Sequence, residues 1–341
     1  MFGKRNIMIG AILILFLFFF VSPFLAISTY TKLSRSAYKN MAYRIIAEKE
    51  TESLKNNEDI IFRLFIYTRK HIFIPTNAAP GDWDLLDYLI TGTGWCDHEA
   101  NVFNKLLSVK NIPARYVYLK NRSGISPHTV SEVYFNRRWS VFDPQNGLYF
   151  RLGDGKYATL NDLSDNPELI FNHSELAKLK LLDQKRFIDQ KEWFSQMFPV
   201  IIQPDRSKPF TEWNNMFLWA FDLYTRFFGQ KFINMCQDIY LKKEMRGIKQ
   251  EDKKLFLLAR HYHIFYRGNL AVNAYISLLN RFPNSIYRQD VIFFLSEFYM
   301  DIEKNLAKAK EMLLLTFIEY PESRWFSIAS SKIDEFRSHG R

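Results

Sequence analysis

Apolar residues recur at helical spacing over residues 30–72, where Tyr43, Ile46, Leu54, Ile61, Leu64 and Phe65 stand among Lys and Glu. That period predicts helix. Asn77 to Gly81 reads as a loop, Asp82 can cap a helix over Trp83–Thr91, and Gly92 can end it. The next helix is expected to start near Cys96, because Cys96, Ala100, Phe103 and Leu107 fall at i, i+4, i+7 and i+11 on one face. Asn111-Ile112-Pro113 stops it. The period then changes. Ala114–Lys120, His128–Phe135 and Arg138–Asp143 read as strands, the last two joined by Asn136-Arg137.

Residues 155–250 read as helical and aromatic-rich, densest over Phe210–Ile233. Glu212, Asp222, Arg226 and Lys231 argue against a membrane span there. A core helix and a helix lying on a membrane surface are both open readings. Residues 252–338 repeat internally. Asn269-Leu270-Ala271 leads to Phe282-Pro283-Asn284-Ser285-Ile286-Tyr287, and Asn305-Leu306-Ala307 leads to Tyr320-Pro321-Glu322-Ser323-Arg324-Trp325. The period is 36 to 38 residues. This pattern resembles tetratricopeptide-type helix pairs, which implies a surface suited to a protein partner. A plain helical bundle is the alternative.

Ile7–Ile27 is an uncharged apolar run preceded by Lys4 and Arg5. Its length suits a bilayer span of about 20 residues. Pro23 and the Ala26-Ile27-Ser28 step also allow a cleaved signal peptide. Either reading puts most of the chain outside the cytoplasm, anchored in the first case and secreted in the second. The net charge of +10 is spread without a dense Lys/Arg block, so nucleic-acid binding is not expected and a bias toward anionic surfaces is. The two cysteines, Cys96 and Cys236, make no disulfide framework. A bridge between them would consume the thiol on which the chemistry turns, and Cys236 reads as a small buried hydrophobe.

That chemistry starts at Thr93-Gly94-Trp95-Cys96. A thiol at a helix N-terminus meets unpaired N–H groups and the positive end of the dipole, which favour the thiolate. If Asn136-Arg137 is a two-residue hairpin loop, Asp143 lies opposite Val130, and His128, Val130 and Asp143 share one face of the sheet. The diagonal from His128 to Asp143 is then about 7–8 Å between backbones, within reach of the two side chains. Cys96 as nucleophile, His128 as general base and acid, and Asp143 as the carboxylate that orients the imidazole form a triad. The Cys96 amide is the first oxyanion donor, and Gly94 and Trp95 are oxyanion or cleft candidates. His98 lies about 200° round the helix from Cys96 and reads as flanking. Asp97 and Glu99 read as solvated first-turn acids, and Arg115 as a structural ion-pair partner. No metal site is expected from Cys96, His98 and His128, because no second metal-spaced pair exists.

Gly94-Trp95-Cys96-(x)3-Ala100, Asn111-Ile112-Pro113-Ala114-Arg115-Tyr116-Val117, His128-Thr129-Val130 and Arg138-Trp139-(x)3-Asp143-Pro144 resemble, in that order, the transglutaminase-like superfamily. The resemblance implies an α+β, papain-like core in which a nucleophile helix packs on an antiparallel sheet. It assigns the same triad roles to Cys96, His128 and Asp143. Thr129-Val130 and Gln145 depart from the family's frequent Ala-Trp and Thr, and nothing resembles the calcium segments of the animal cross-linking enzymes. The expected organisation is an anchor or signal (1–28), a helical lead-in (29–79), the catalytic core (80–155), an aromatic helical region (156–250) and all-α repeats (251–341). The expected function is a thiol enzyme of the cell envelope, without cofactor, cutting amide bonds of a protein or peptide. A non-catalytic scaffold using the cleft and repeats for protein binding is the alternative.

Overall fold

The computed structural model describes residues 10, 31–73, 85–170, 194, 198–202, 212–323 and 325–339. Apart from Gly10, the apolar run 7–27 lies outside the described residues, as do the loop 77–81 and the Asp82 cap. Among the described residues no helix is long and apolar enough to cross a membrane. The chain divides into two compact units, residues 1–44 with 205–249, and residues 45–204 with 250–341.

The described chain opens with two helices, Thr31–Glu50 (α1) and Asn57–His71 (α2), where the period predicts one. The break is local. The Asn56 side chain accepts the Asp59 amide at 2.7 Å and starts the second helix. Helix Leu85–Thr91 (α3) ends at Gly92, with φ +69°. Helix Cys96–Val109 (α4) begins at the expected residue. Ala100, Phe103 and Leu107 are fully buried, so the expected stripe is the packing face.

Ala114–Lys120 (β1), His128–Phe135 (β2) and Arg138–Asp143 (β3) occupy the expected spans. Leu148–Tyr149 (β4) and Phe198–Ile202 (β5) complete an antiparallel sheet in the order β4-β3-β2-β1-β5. The fifth strand corrects the reading of 155–250 as helical throughout. A short continuous apolar run gives no period by which to tell strand from helix, and Pro199 is tolerated because the strand lies at the sheet edge.

Asn136 and Arg137 both have positive φ, 49° and 63°, a type I′ turn. Phe135 pairs with Arg138 and Tyr134 with Trp139, the register read from the sequence. One sheet face carries Phe142 against Phe65 and Phe103, at 5.6 and 5.9 Å between ring centres. On the other face Val117, Val130 and Val141 pack with Leu148, Phe150, Leu160 and Leu163, two of which come from helix Leu160–Asp165 (α5).

Helix Glu212–Glu244 (α6) breaks at Gly229 and carries Cys236, which is half-buried rather than fully buried. Burial pushes its thiol up to about 12. Both cysteines are free. In the same unit Tyr38 stacks on Tyr240 at 3.8 Å. Five further helices follow: Glu251–Ile264 (α7), Gly268–Arg281 (α8), Arg288–Asp301 (α9), Leu306–Glu319 (α10) and Phe326–His339 (α11). The starts of α8 and α10, and of α9 and α11, are each 38 residues apart, compatible with stacked repeat-like pairs. Their core holds Tyr275, Phe293, Phe294, Phe298 and Trp325. The molecule is α+β, with an all-helical C-terminal region.

Candidate active site

Cys96 is the first residue of α4 and is half-buried. Gly94 before it is required by space. A Cβ there would come within 2.8 Å of the Ile72 side chain and 3.1 Å of His98 Cβ. The Gly94 amide donates to the Phe73 carbonyl at 3.0 Å, and the Trp95 amide donates to His98 Nδ1 at 3.0 Å. Both amide protons are thus engaged inside the protein, so of the oxyanion and cleft readings of Gly94 and Trp95 only the cleft reading stays open. Trp95, next to Cys96 in the chain, is 40 % exposed. The Cys96 amide, at the helix start, has no acceptor within its own helix. His98 stands in the first turn of α4 and supports the preceding loop. It bonds Trp95, stacks on Tyr88 at 3.9 Å, and burial holds its imidazole below the usual range against the opposing charge of Asp97.

His128 begins β2 and Asp143 ends β3, and both are buried. The hairpin register brings His128 Nε2 to 2.7 Å from Asp143 Oδ2. Nε2–H donates to the carboxylate, so Nδ1 is the ring's remaining nitrogen. Burial disfavours the imidazolium, but the charge and hydrogen bond of Asp143, followed by the hydrogen bond and charge of Cys96, outweigh it and push His128 up to about 10. Burial likewise disfavours the Asp143 carboxylate. His128 and two hydrogen bonds from Asn146 overcome this and hold the carboxyl below its usual range.

Asn146 went unnoticed in the sequence. Its Nδ2 donates to Asp143 Oδ2 at 2.7 Å and its backbone amide to Asp143 Oδ1 at 3.1 Å. It is itself buried. The turn Asp143-Pro144-Gln145-Asn146-Gly147, closed by Gly147 at φ +68°, is what folds it back. The Asn-Gly step is the signal that could have found it.

Glu99 departs from expectation. It is fully buried, and neither carboxyl oxygen has a hydrogen-bond partner among the described residues. Three residues past Cys96 it lies about 60° from it round the helix, on the packing side. Burial raises its carboxyl well above the usual range, Arg69 and His128 pull it down, and Asp143 and Cys96 push it up. The net direction favours its protonated form, and the groups that act on it place it near Cys96, His128 and Asp143. Asp97, by contrast, has a side chain 43 % exposed. Tyr118 on β1 is half-buried, and its phenol is raised by burial and then by the charges of Asp97 and Cys96. Arg115 pairs with Glu132 at 2.6 Å and lies 4.0 Å over Trp139, the structural role expected of it. Among the described residues no group of His, Cys, Asp and Glu is arranged to hold a metal ion.

A helix that opens on a thiol, packed on an antiparallel sheet whose adjoining strands carry a bonded His–Asp pair, defines the papain-like class of α+β core. Residues 40–144 match the family model of the transglutaminase-like superfamily, so the chain carries a transglutaminase-like core. That superfamily includes cysteine peptidases and transamidases. A search of curated proteins finds no match to the chain.

Proposed function

We propose that the protein is a thiol enzyme that cuts amide bonds of a protein or peptide through Cys96, His128 and Asp143. The observation that carries this reading is the buried His128–Asp143 pair at 2.7 Å, with Cys96 as a further hydrogen-bond partner of the ring. Nδ1 of His128 takes the thiol proton, and Sγ attacks the amide carbonyl carbon. The oxyanion accepts a hydrogen bond from the Cys96 amide. The imidazolium returns its proton to the nitrogen, the C–N bond breaks, and the amine leaves. Water then gives a proton to Nδ1 and attacks the thioester, which releases the acid and restores the thiol. Asp143 keeps Nε2 protonated throughout. Water rather than an amine is the acceptor in this reading, since no amine site is evident among the described residues.

The apolar run 7–27 supports an anchored protein facing away from the cytoplasm, and the helical repeats supply a surface for a protein substrate or partner. The test is intact-mass spectrometry after incubation with a tryptic peptide mixture and an acid quench. A mass gain that maps to Cys96, is absent from Cys96→Ala, and decays in buffer without added amine is the expected thioester. Absence of any adduct, with partner binding preserved in Cys96→Ala, would replace the enzyme by the scaffold reading.

A further inference from the structure

The loop that delivers Cys96 is held from two sides. On one side Phe73 donates its amide to the Gly92 carbonyl and accepts the Gly94 amide, both at 3.0 Å. Phe73 in turn packs edge-on against Phe293 and Trp325, at 5.6 and 4.6 Å between ring centres. On the other side stands Arg260 of α7, fully buried. Its Nε donates to the Ile90 carbonyl at 2.8 Å and its Nη2 to the Leu89 carbonyl at 2.6 Å. These belong to the last turn of α3, whose carbonyls lack partners within the helix. The guanidinium lies 3.5 Å over the Phe294 ring. That same ring fills the space at Gly92, where a Cβ would come within 2.3 Å of Phe294 Cζ. Gly92 also sits at φ +69°, so glycine is needed on both counts. Around Gly92, the filling ring and the cation bonded to the helix end before it both come from the C-terminal helices.

Arg260 has no carboxylate partner in the described structure. Its charge rests on two carbonyls, a ring face, the Tyr275 hydroxyl and a 3.4 Å contact with His263 Nδ1. A buried cation without a counter-ion is unfavourable, and a neutral side chain would fill the same core without that penalty. What the guanidinium adds is two charge-assisted bonds of fixed geometry, on the helix end six residues before the nucleophile. We propose that Arg260, with Phe294 behind it, is a positioning residue that sets where the Gly92–Trp95 loop places the Cys96 thiol relative to His128. The C-terminal helices are then part of the catalytic frame and not only a docking module. This rests on the Cys96–His128 reading.

The experiment is the rate of Cys96 carbamidomethylation by iodoacetamide against pH, on the full chain, with a thermal melt of each variant. Wild type is expected to react faster at pH 6 than His128→Ala. Arg260→Lys keeps the charge but replaces the planar two-nitrogen fork by a single ammonium on a flexible stem. It is expected to melt cooperatively yet lose about tenfold of the rate, as small misplacements of reacting groups do, and its profile should move toward that of His128→Ala. Phe294→Leu, with Arg260 retained, should shift the same way by less, and it carries the test if Arg260→Lys does not fold. A folded variant with a lowered melting point but the wild-type rate and profile overturns the positioning role. Identical profiles for wild type and His128→Ala would instead overturn the site itself.

Discussion

At the scale of single residues, the buried acids of the site do opposite things. Asp143 is held below its usual range, so its stabilising contribution is present above about pH 4 and lost as pH falls through its lowered value. Asn146 supplies two of the bonds that hold it there. Asn146→Ala removes the side-chain donor to a buried carboxylate, which should destabilise the fold by about 1–3 kcal/mol and move acid unfolding to higher pH. Urea melts at pH 7 and pH 4 check this, and an unchanged midpoint would contradict it. Glu99 is raised instead, so its contribution is present below the unfolded value of 4.5 and declines as pH rises above it toward the folded value. Glu99→Gln keeps the shape of the neutral acid without the proton. Its melting point should match wild type near pH 4 and exceed it at pH 9, whereas an equal deficit at both would show that the carboxyl is ionised in place. Neither behaviour was legible beforehand. A Glu in a first helical turn reads as solvated from its type, and only the packing of α4 decides that the i+3 position faces inward.

At the scale of elements, the legible parts were those with a strong period or stop signal. Strands β1 to β3 fall where alternation and Pro113 place them, and α4 starts at Cys96 because the apolar stripe does. The hairpin register followed from counting outward from a two-residue loop, and it is what joins His128 to Asp143. Elements without a period were missed. The fifth strand is a short apolar run at an edge, and the break between α1 and α2 depends on one Asn56 side chain. The hairpin itself carries a strained residue, since Arg137 adopts φ 63°. Arg137→Gly should stabilise the protein by about 1 kcal/mol by removing the left-handed penalty. Chemical denaturation measures it, and a loss of stability would mean that Arg137 makes contacts worth more than its strain.

At the scale of the whole molecule, the C-terminal helices bury titratable groups that the sequence presents only as scattered histidines. Burial, aided by the charge of Arg260, holds His71 at about 4 and His261 at about 3, and His263 well below its usual range. Each stays neutral in the fold while the unfolded chain takes up protons below about pH 6.5. The stability tied to them is therefore present above that pH and lost as pH falls toward the folded values. The melting temperature should drop steeply between pH 6.5 and 4.5, and a flat profile there would show that these rings are not buried in solution. The repeat was legible from its aromatic-Pro turns, but its attachment to the Cys96 loop was not, because Arg260 and Phe294 stand far along the chain from Leu89 and Gly92 and share no motif with them.

The central claim is that Cys96 and His128 act as one ionising pair, and the reactivity of the thiol at mildly acid pH tests it most directly. If they do, iodoacetamide modifies Cys96 of the wild-type protein rapidly at pH 6, and His128→Ala reacts slowly there and gains rate only toward the ordinary thiol range of about 8.5. If wild type and His128→Ala instead share one profile centred on that ordinary range, the pair is not formed and the enzyme reading fails.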